Sequence, residues 1–152
     1  MNLKKERFII MELIPTSLNP ERGEIVQLSA LKINGMQLED RFDYRLNEEL
    51  IPYKSFLELI NYDKDMFKYL DSTEQILNEF KKWIGDIPVL IMDNIYTINY
   101  LKDITNKTES IFNYLNIDNN DDVIERLMDK YHIEPTNHVV DILYESLIQE
   151  IL

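Results

Sequence analysis

At 152 residues the chain can bury one sizeable core, and it is short enough to read as a single domain spanning 1–152. Its 45% hydrophobic and 29% charged content excludes a disordered or fibrous polymer, and the absence of cysteine excludes a disulfide framework or a thiolate metal centre. Sixteen basic against 28 acidic residues leave a net charge of −12, which disfavours nucleic acid as a partner, because such binding draws on Lys and Arg neutralising phosphates.

The Lys and Arg residues are scattered among acids and form no basic stripe. Bound metal ions can reverse local charge, so an acidic nuclease must supply the ligands for them, and the ligands decide the question. The opening MNLKKERFIIMELIP is basic and then apolar, but Glu12 interrupts a run already too short for a signal peptide. Nowhere do the roughly 18 apolar residues of a spanning helix occur. The expectation is a cytoplasmic protein with no membrane partner, in which the sequon Asn106-Lys107-Thr108 stays idle.

In chain order, residues 7–14 run apolar like a buried strand, with Glu12 near its end. EIVQLSALKI (24–33) and MQLEDRFDYRL (36–46) flank Asn34-Gly35, a hairpin signal because both turn positions favour positive φ. Residues 53–70 read as a short helix and loops after Ile51-Pro52 breaks the pattern. Ser72 with Gln75 three residues on predicts a capping box. The helix TEQILNEFKKWI follows, with Ile76, Leu77, Phe80, Trp83 and Ile84 on one face and Gly85 as its stop. IPVLIMD (87–93) is apolar throughout, as a strand covered on both sides would be. A helical stretch over 94–104, a weak strand over 110–115, and amphipathic helices over 121–133 and 138–152 complete an α/β domain.

This order and spacing resemble the DEDD, or DnaQ-like, 3′–5′ exonucleases. The likeness is carried by ELIPTSLNPERGEIVQLSALKINGMQLEDRF, LIPYKSFLELINYDKDMF and STEQILNEFKKWIGDIPVLIMDN. It implies an RNase H-like fold: a mixed sheet of about five strands, the first three forming a meander, flanked by helices. It also implies two Mg²⁺ or Mn²⁺ ions held by four carboxylates, with a histidine as general base. Two dications about 4 Å apart repel, and only clustered acids together with a substrate phosphate hold them.

Aligned on Thr16-Ser17-Leu18-Asn19-Pro20, the family's first acid falls on Glu12 and its second on Ile14. DNIYTI places Asp93 where the family has histidine, retains Asn94, and puts Ile98 at the third acid; the histidine is His138 and the last acid is Leu143. Three of four ligand positions are therefore aliphatic. Moving the register to use Asp141 or Glu145 would expose the stripe Val140, Leu143, Leu147 and Ile151.

Each residue also has a plain reading. Glu12 either reaches water at a strand end or keeps a polar role in the old cleft. Asp93 and Asn94 can cap the helix after them. His138 enters a helix and has no metal-bound water to deprotonate. The acids of 118–122 lack the glycine and terminal glutamate of a calcium loop. The nine tyrosines are dispersed and read as packing rather than base stacking.

The leading expectation is an inactive exonuclease-like domain without cofactor that binds a protein partner or itself. The residues left in its polar cleft are then Glu12, Asp93, Asn94 and His138. Rivals are a divergent nuclease using Mg²⁺ or Mn²⁺ and a non-cleaving binder of nucleic-acid ends. The aliphatic trio predicts a sealed apolar cleft beside Glu12.

Overall fold

Strand β1 (Arg7–Pro15) is apolar on both faces, so only a central position covers it, and the sheet order is β4-β3-β2-β1-β5-β6. The computed structural model describes residues 1–17, 19–46, 68–135 and 138–152. β1 pairs antiparallel with β2 (Ile25–Asn34) and parallel with β5 (Val89–Ile91). β3 (Gln37–Leu46) runs antiparallel to β2, while β4 (Lys68–Leu70) and β6 (Thr108–Ser110) add parallel edges beside β3 and β5. The described sheet thus has six strands where about five were expected. The extra strand, β4, contains three residues and has no periodicity to announce it. The rest of the short helix and loops expected over 53–70, residues 53–67, lies outside the described residues.

The hairpin forms one residue later than the Asn-Gly signal implied. Asn34 pairs with Gln37, and the turn residues are Gly35 and Met36, with φ of 58° and 69°. Met36 adopts a left-handed conformation that costs a side-chain-bearing residue about 1–2 kcal/mol. Burial of its side chain and a 2.7 Å hydrogen bond from Tyr144 Oη to its carbonyl offset that cost.

Helix α1 (Thr73–Ile84) begins as expected, with Ser72 Oγ accepting from Gln75 N at 3.1 Å. The return bond is displaced by one residue, since Gln75 Oε1 accepts from Asp71 N. Gly85, at φ 52°, ends the helix. Ile76, Phe80 and Ile84 pack on Ile9, Met11 and Leu13, one face of the sheet. Helix α2 (Ile95–Leu101) adds Tyr100 and Leu101 to that cluster.

The opposite face carries Phe8, Ile10, Leu31 and Leu90 under α3 (Val123–Tyr131) and α4 (Val139–Ile151). The weak strand expected over 110–115 is instead a 3-10 turn, Ile111–Asn113, following β6. Arg41 fastens α4 to β3, donating from Nη1 to Asp141 Oδ1 at 2.8 Å. Leu143 lies in the middle of this face with no exposed surface.

Leu143→Asp should therefore lower the unfolding free energy by about 3–5 kcal/mol, the cost of an uncompensated buried charge. Urea denaturation of the two proteins measures it. A variant as stable as its parent would show that position 143 opens to water.

Candidate functional site

In open α/β sheets ligands gather beyond the carboxyl ends of parallel strands, where the chain changes direction across the sheet. Here that place lies between β1 and β5, and it contains the end of β1, the junction 92–94 and the first turn of α2. Helices α2 and α4 both pack on β1. Of the positions matching the family motif, Glu12 and Ile14 lie toward this end of β1, while Ile98 lies on α2 and His138 and Leu143 belong to α4, and their side chains have different surroundings.

Side chains directly opposite in neighbouring strands share a face. Glu12 pairs with Ser29, which pairs with Asp43; Ile14 pairs with Gln27, which pairs with Arg45. One rung back, Ile10 pairs with Leu31 and Leu31 with Arg41. Ile10 and Leu31 belong to the core under α4, so the two rungs beyond them turn this face of the sheet polar. Gln27, Ser29, Asp43 and Arg45 are all buried, Arg45 completely. Gln27 Oε1, Ser29 Oγ and Asp43 Oδ1 have no hydrogen-bond partner among the described residues, while Asp43 Oδ2 receives Arg41 Nε at 3.2 Å.

Sequence reasoning missed this seam. The signal was present as alternation, with Gln27 and Ser29 in one strand and Arg41, Asp43 and Arg45 in the next. Only the register shows that the two sets share a face with Glu12.

Glu12 sits at the edge of the seam. It keeps partial surface exposure, yet protein packs closely enough around it that burial raises its carboxyl from 4.5 to about 7. Its charge reaches Tyr96, whose phenol is raised first by burial and then by Glu12, against a lowering hydrogen bond with the Asn94 side chain. Glu12 thus combines both plain readings, keeping some contact with water while lining the polar seam.

Asn94 occupies the N-cap position of α2 but makes no side-chain capping bond, so the expected cap is absent there. Asp93 does not cap either. Its backbone takes φ 61° at the strand-to-helix junction, and its carboxylate accepts a hydrogen bond from Ser110 Oγ. His138 is the buried N-cap of α4 and likewise makes no side-chain capping bond.

The aliphatic trio does not close into one sealed patch. Leu143 is buried and Ile14 half-buried, but Ile98 is 45% exposed. The physical reason is the orientation of α2, whose buried face is taken by Thr97, Tyr100 and Leu101. A seven-residue helix turns its other side to water.

Ile14, Ile98 and Leu143 present no oxygen or nitrogen in their side chains, and burial favours the protonated form of the remaining acid. Among the described residues no three His, Asp or Glu side chains gather in a metal-binding group.

No family model matches the chain. It is similar to DNA polymerase III PolC-type of Staphylococcus epidermidis, with 27% identity over 85 residues, covering 56% of this chain and 6% of that polymerase. The corresponding Staphylococcus aureus polymerase is 26% identical over 84 residues, 55% of this chain and 6% of the polymerase. The chain therefore spans only a small fraction of the curated relatives it matches. Among solved structures, a 3′-exonuclease that recognises the 3′ end of a histone mRNA stem-loop superposes with a TM-score of 0.62 at 12% identity, covering 97% of this chain and 80% of that one. Escherichia coli exonuclease I, bound to a dT13 oligonucleotide, gives a TM-score of 0.54 at 12% identity over 95% of this chain and 40% of its own.

The architecture is thus the RNase H-like fold of the DnaQ-like exonucleases. The resemblance read from the residues holds for the fold.

The raised carboxyl of Glu12 makes stability depend on pH with a determined sign. The folded state holds a proton that the unfolded chain releases near 4.5. Stability from this group is complete below 4.5, declines as pH rises, and levels off above about 7. A displacement of this size corresponds to at most about 3 kcal/mol. Glu12→Gln should match its parent at pH 4 and exceed its stability by up to that amount at pH 8, as measured by denaturant melts. A stability difference unchanged between pH 4 and 8 would contradict it.

Proposed function

We propose that this domain keeps the exonuclease fold without its two-metal chemistry and acts by binding in the cytoplasm. The observation that carries the reading is the residue content of the cleft. Ile14, Ile98 and Leu143 stand where the resemblance puts three carboxylates, and Glu12 stands at the fourth. Two dications about 4 Å apart are held only by several anionic oxygens, and one carboxyl, raised by burial to about 7, does not supply them.

Energetics favour such a replacement once catalysis is no longer required. Four clustered carboxylates repel one another in the metal-free fold, and stability is often gained when an active site is given up. Leu143 is the clearest case, because it contributes a fully buried side chain to the core under α4. Burial of that kind contributes about 1.5–3 kcal/mol. The net charge of −12 disfavours nucleic acid as the bound partner and points to a protein.

Purified protein incubated with single-stranded DNA or RNA and millimolar Mg²⁺ or Mn²⁺ should leave the oligonucleotide intact. Dose-dependent shortening from the 3′ end, abolished in Glu12→Ala, would establish the rival reading of a divergent nuclease. Salt-sensitive retention of an uncut oligonucleotide would support the other rival, a non-cleaving end binder.

A further inference from the structure

Asn34 and Gly35 carry a chemistry separate from their part in the hairpin. Of the chain's three glycines, only Gly35 follows an asparagine. A glycine nitrogen is the least hindered main-chain nucleophile toward a preceding side-chain amide, because no Cβ crowds its approach. Asn34 is exposed, so water reaches its amide.

The fold restrains that reaction in two ways. Asn34 is the last residue of β2 and pairs on both sides, with Arg7 of β1 and Gln37 of β3. Closing a five-membered ring brings the Gly35 nitrogen onto Cγ of Asn34, which takes the Asn34 ψ out of the strand region. The slip of the turn to Gly35-Met36 is what places Asn34 inside the strand. The Gly35 N–H also donates to the carbonyl of Glu6 at 3.2 Å, and the nitrogen must give up that bond to attack. Beyond the strand, the turn is fastened to α4 by the 2.7 Å bond from Tyr144 Oη to the carbonyl of Met36. Both restraints therefore sit at the end of a hairpin, where local opening is far easier than global unfolding.

We propose that Asn34 is a covalent modification site, a deamidation gated by opening of the β2–β3 hairpin end and restrained by Tyr144. In the open form the Gly35 nitrogen bonds to Cγ of Asn34. The Cγ–Nδ2 bond breaks, ammonia leaves with the Gly35 proton, and a cyclic imide remains. Water then adds to one of its two carbonyls. Opening at Cγ gives aspartate; opening at the main-chain carbonyl gives isoaspartate, whose backbone runs through Cβ and is one carbon longer. The net change exchanges an amide and a water for a carboxyl and ammonia. Aspartate keeps the register and sets a carboxylate opposite Arg7. Isoaspartate cannot stay in register with Arg7 and Gln37 at once, so it loosens the turn at Met36 and its hold on α4. This holds whatever the domain binds.

The test incubates the whole chain at mildly alkaline pH beside a synthetic peptide of residues 31–37, and follows both by peptide mapping and mass spectrometry. Position 34 should gain the mass of an amide-to-acid change before any other asparagine of the chain. It should do so at least about tenfold more slowly than in the peptide, because the hairpin end must open first. Hydrogen exchange at the Gly35 amide reports the same opening, and its protection should match the slowing. Tyr144→Phe should accelerate both several-fold, as the loss of one hydrogen bond allows. The isoaspartyl fraction, separated by chromatography, should melt below the parent, while Asn34→Asp melts with it.

Conversion as fast as in the peptide would show that strand pairing restrains nothing, and would overturn the proposal. So would earlier conversion of another asparagine, or none at position 34 while the peptide reacts to completion. A rate at position 34 that does not follow Gly35 exchange would remove the gating, whatever the state of the Tyr144 variant.

Discussion

The coverage of β1 on both faces is the constraint on which the rest of the structure depends. A strand paired on each side and packed on each face can carry a charge only at its end, where the helices above begin to part. Glu12 occupies that end. Ile10, one rung earlier, is fully buried beneath α4, and an acid there would have to be neutral or paired. The place where a catalytic strand could hold metal ligands is also the place where this chain changes from apolar core to polar seam.

The seam also shows how the fold tolerates polar residues under a helix. Arg41 reaches both Asp43 and Asp141, joining β3 to α4 across the face. The clamp is half-exposed, so its contribution to stability is modest; its geometric effect is to seat α4 in one position over the sheet. Tyr144, bonded to the hairpin turn at Met36, holds the same helix at its other side. With α4 held at two points, Leu143 is set in the core rather than at the cleft. A carboxylate restored at that position would have to be stabilised by something the surrounding side chains do not provide.

How much was legible in the sequence depended on how local each cause was. Strand β1, the hairpin partners and α1 were readable because apolar alternation, a turn signal and a capping serine act within a few residues. The short strands β4 and β6 were not, because three residues become a strand only through the neighbour they pair with. The turn slipped from Asn34-Gly35 to Gly35-Met36 because burying Met36 outweighs the local preference. The aliphatic residues at the three motif-aligned positions are read from the sequence itself. The polar seam was not legible, since Glu12, Ser29 and Asp43 are brought together by strand register, and neither was the exposure of Ile98, which follows from the face that α2 turns to the sheet.

On the proposed reading this cleft binds no divalent metal. Titrating Mn²⁺ into the pure protein at pH 8, where Glu12 is largely ionised, and counting free ion by electron paramagnetic resonance tests it most directly. No saturable uptake is expected up to millimolar metal, in the parent and in Glu12→Gln alike. Uptake of two Mn²⁺ ions per chain, lost in Glu12→Gln, would contradict it.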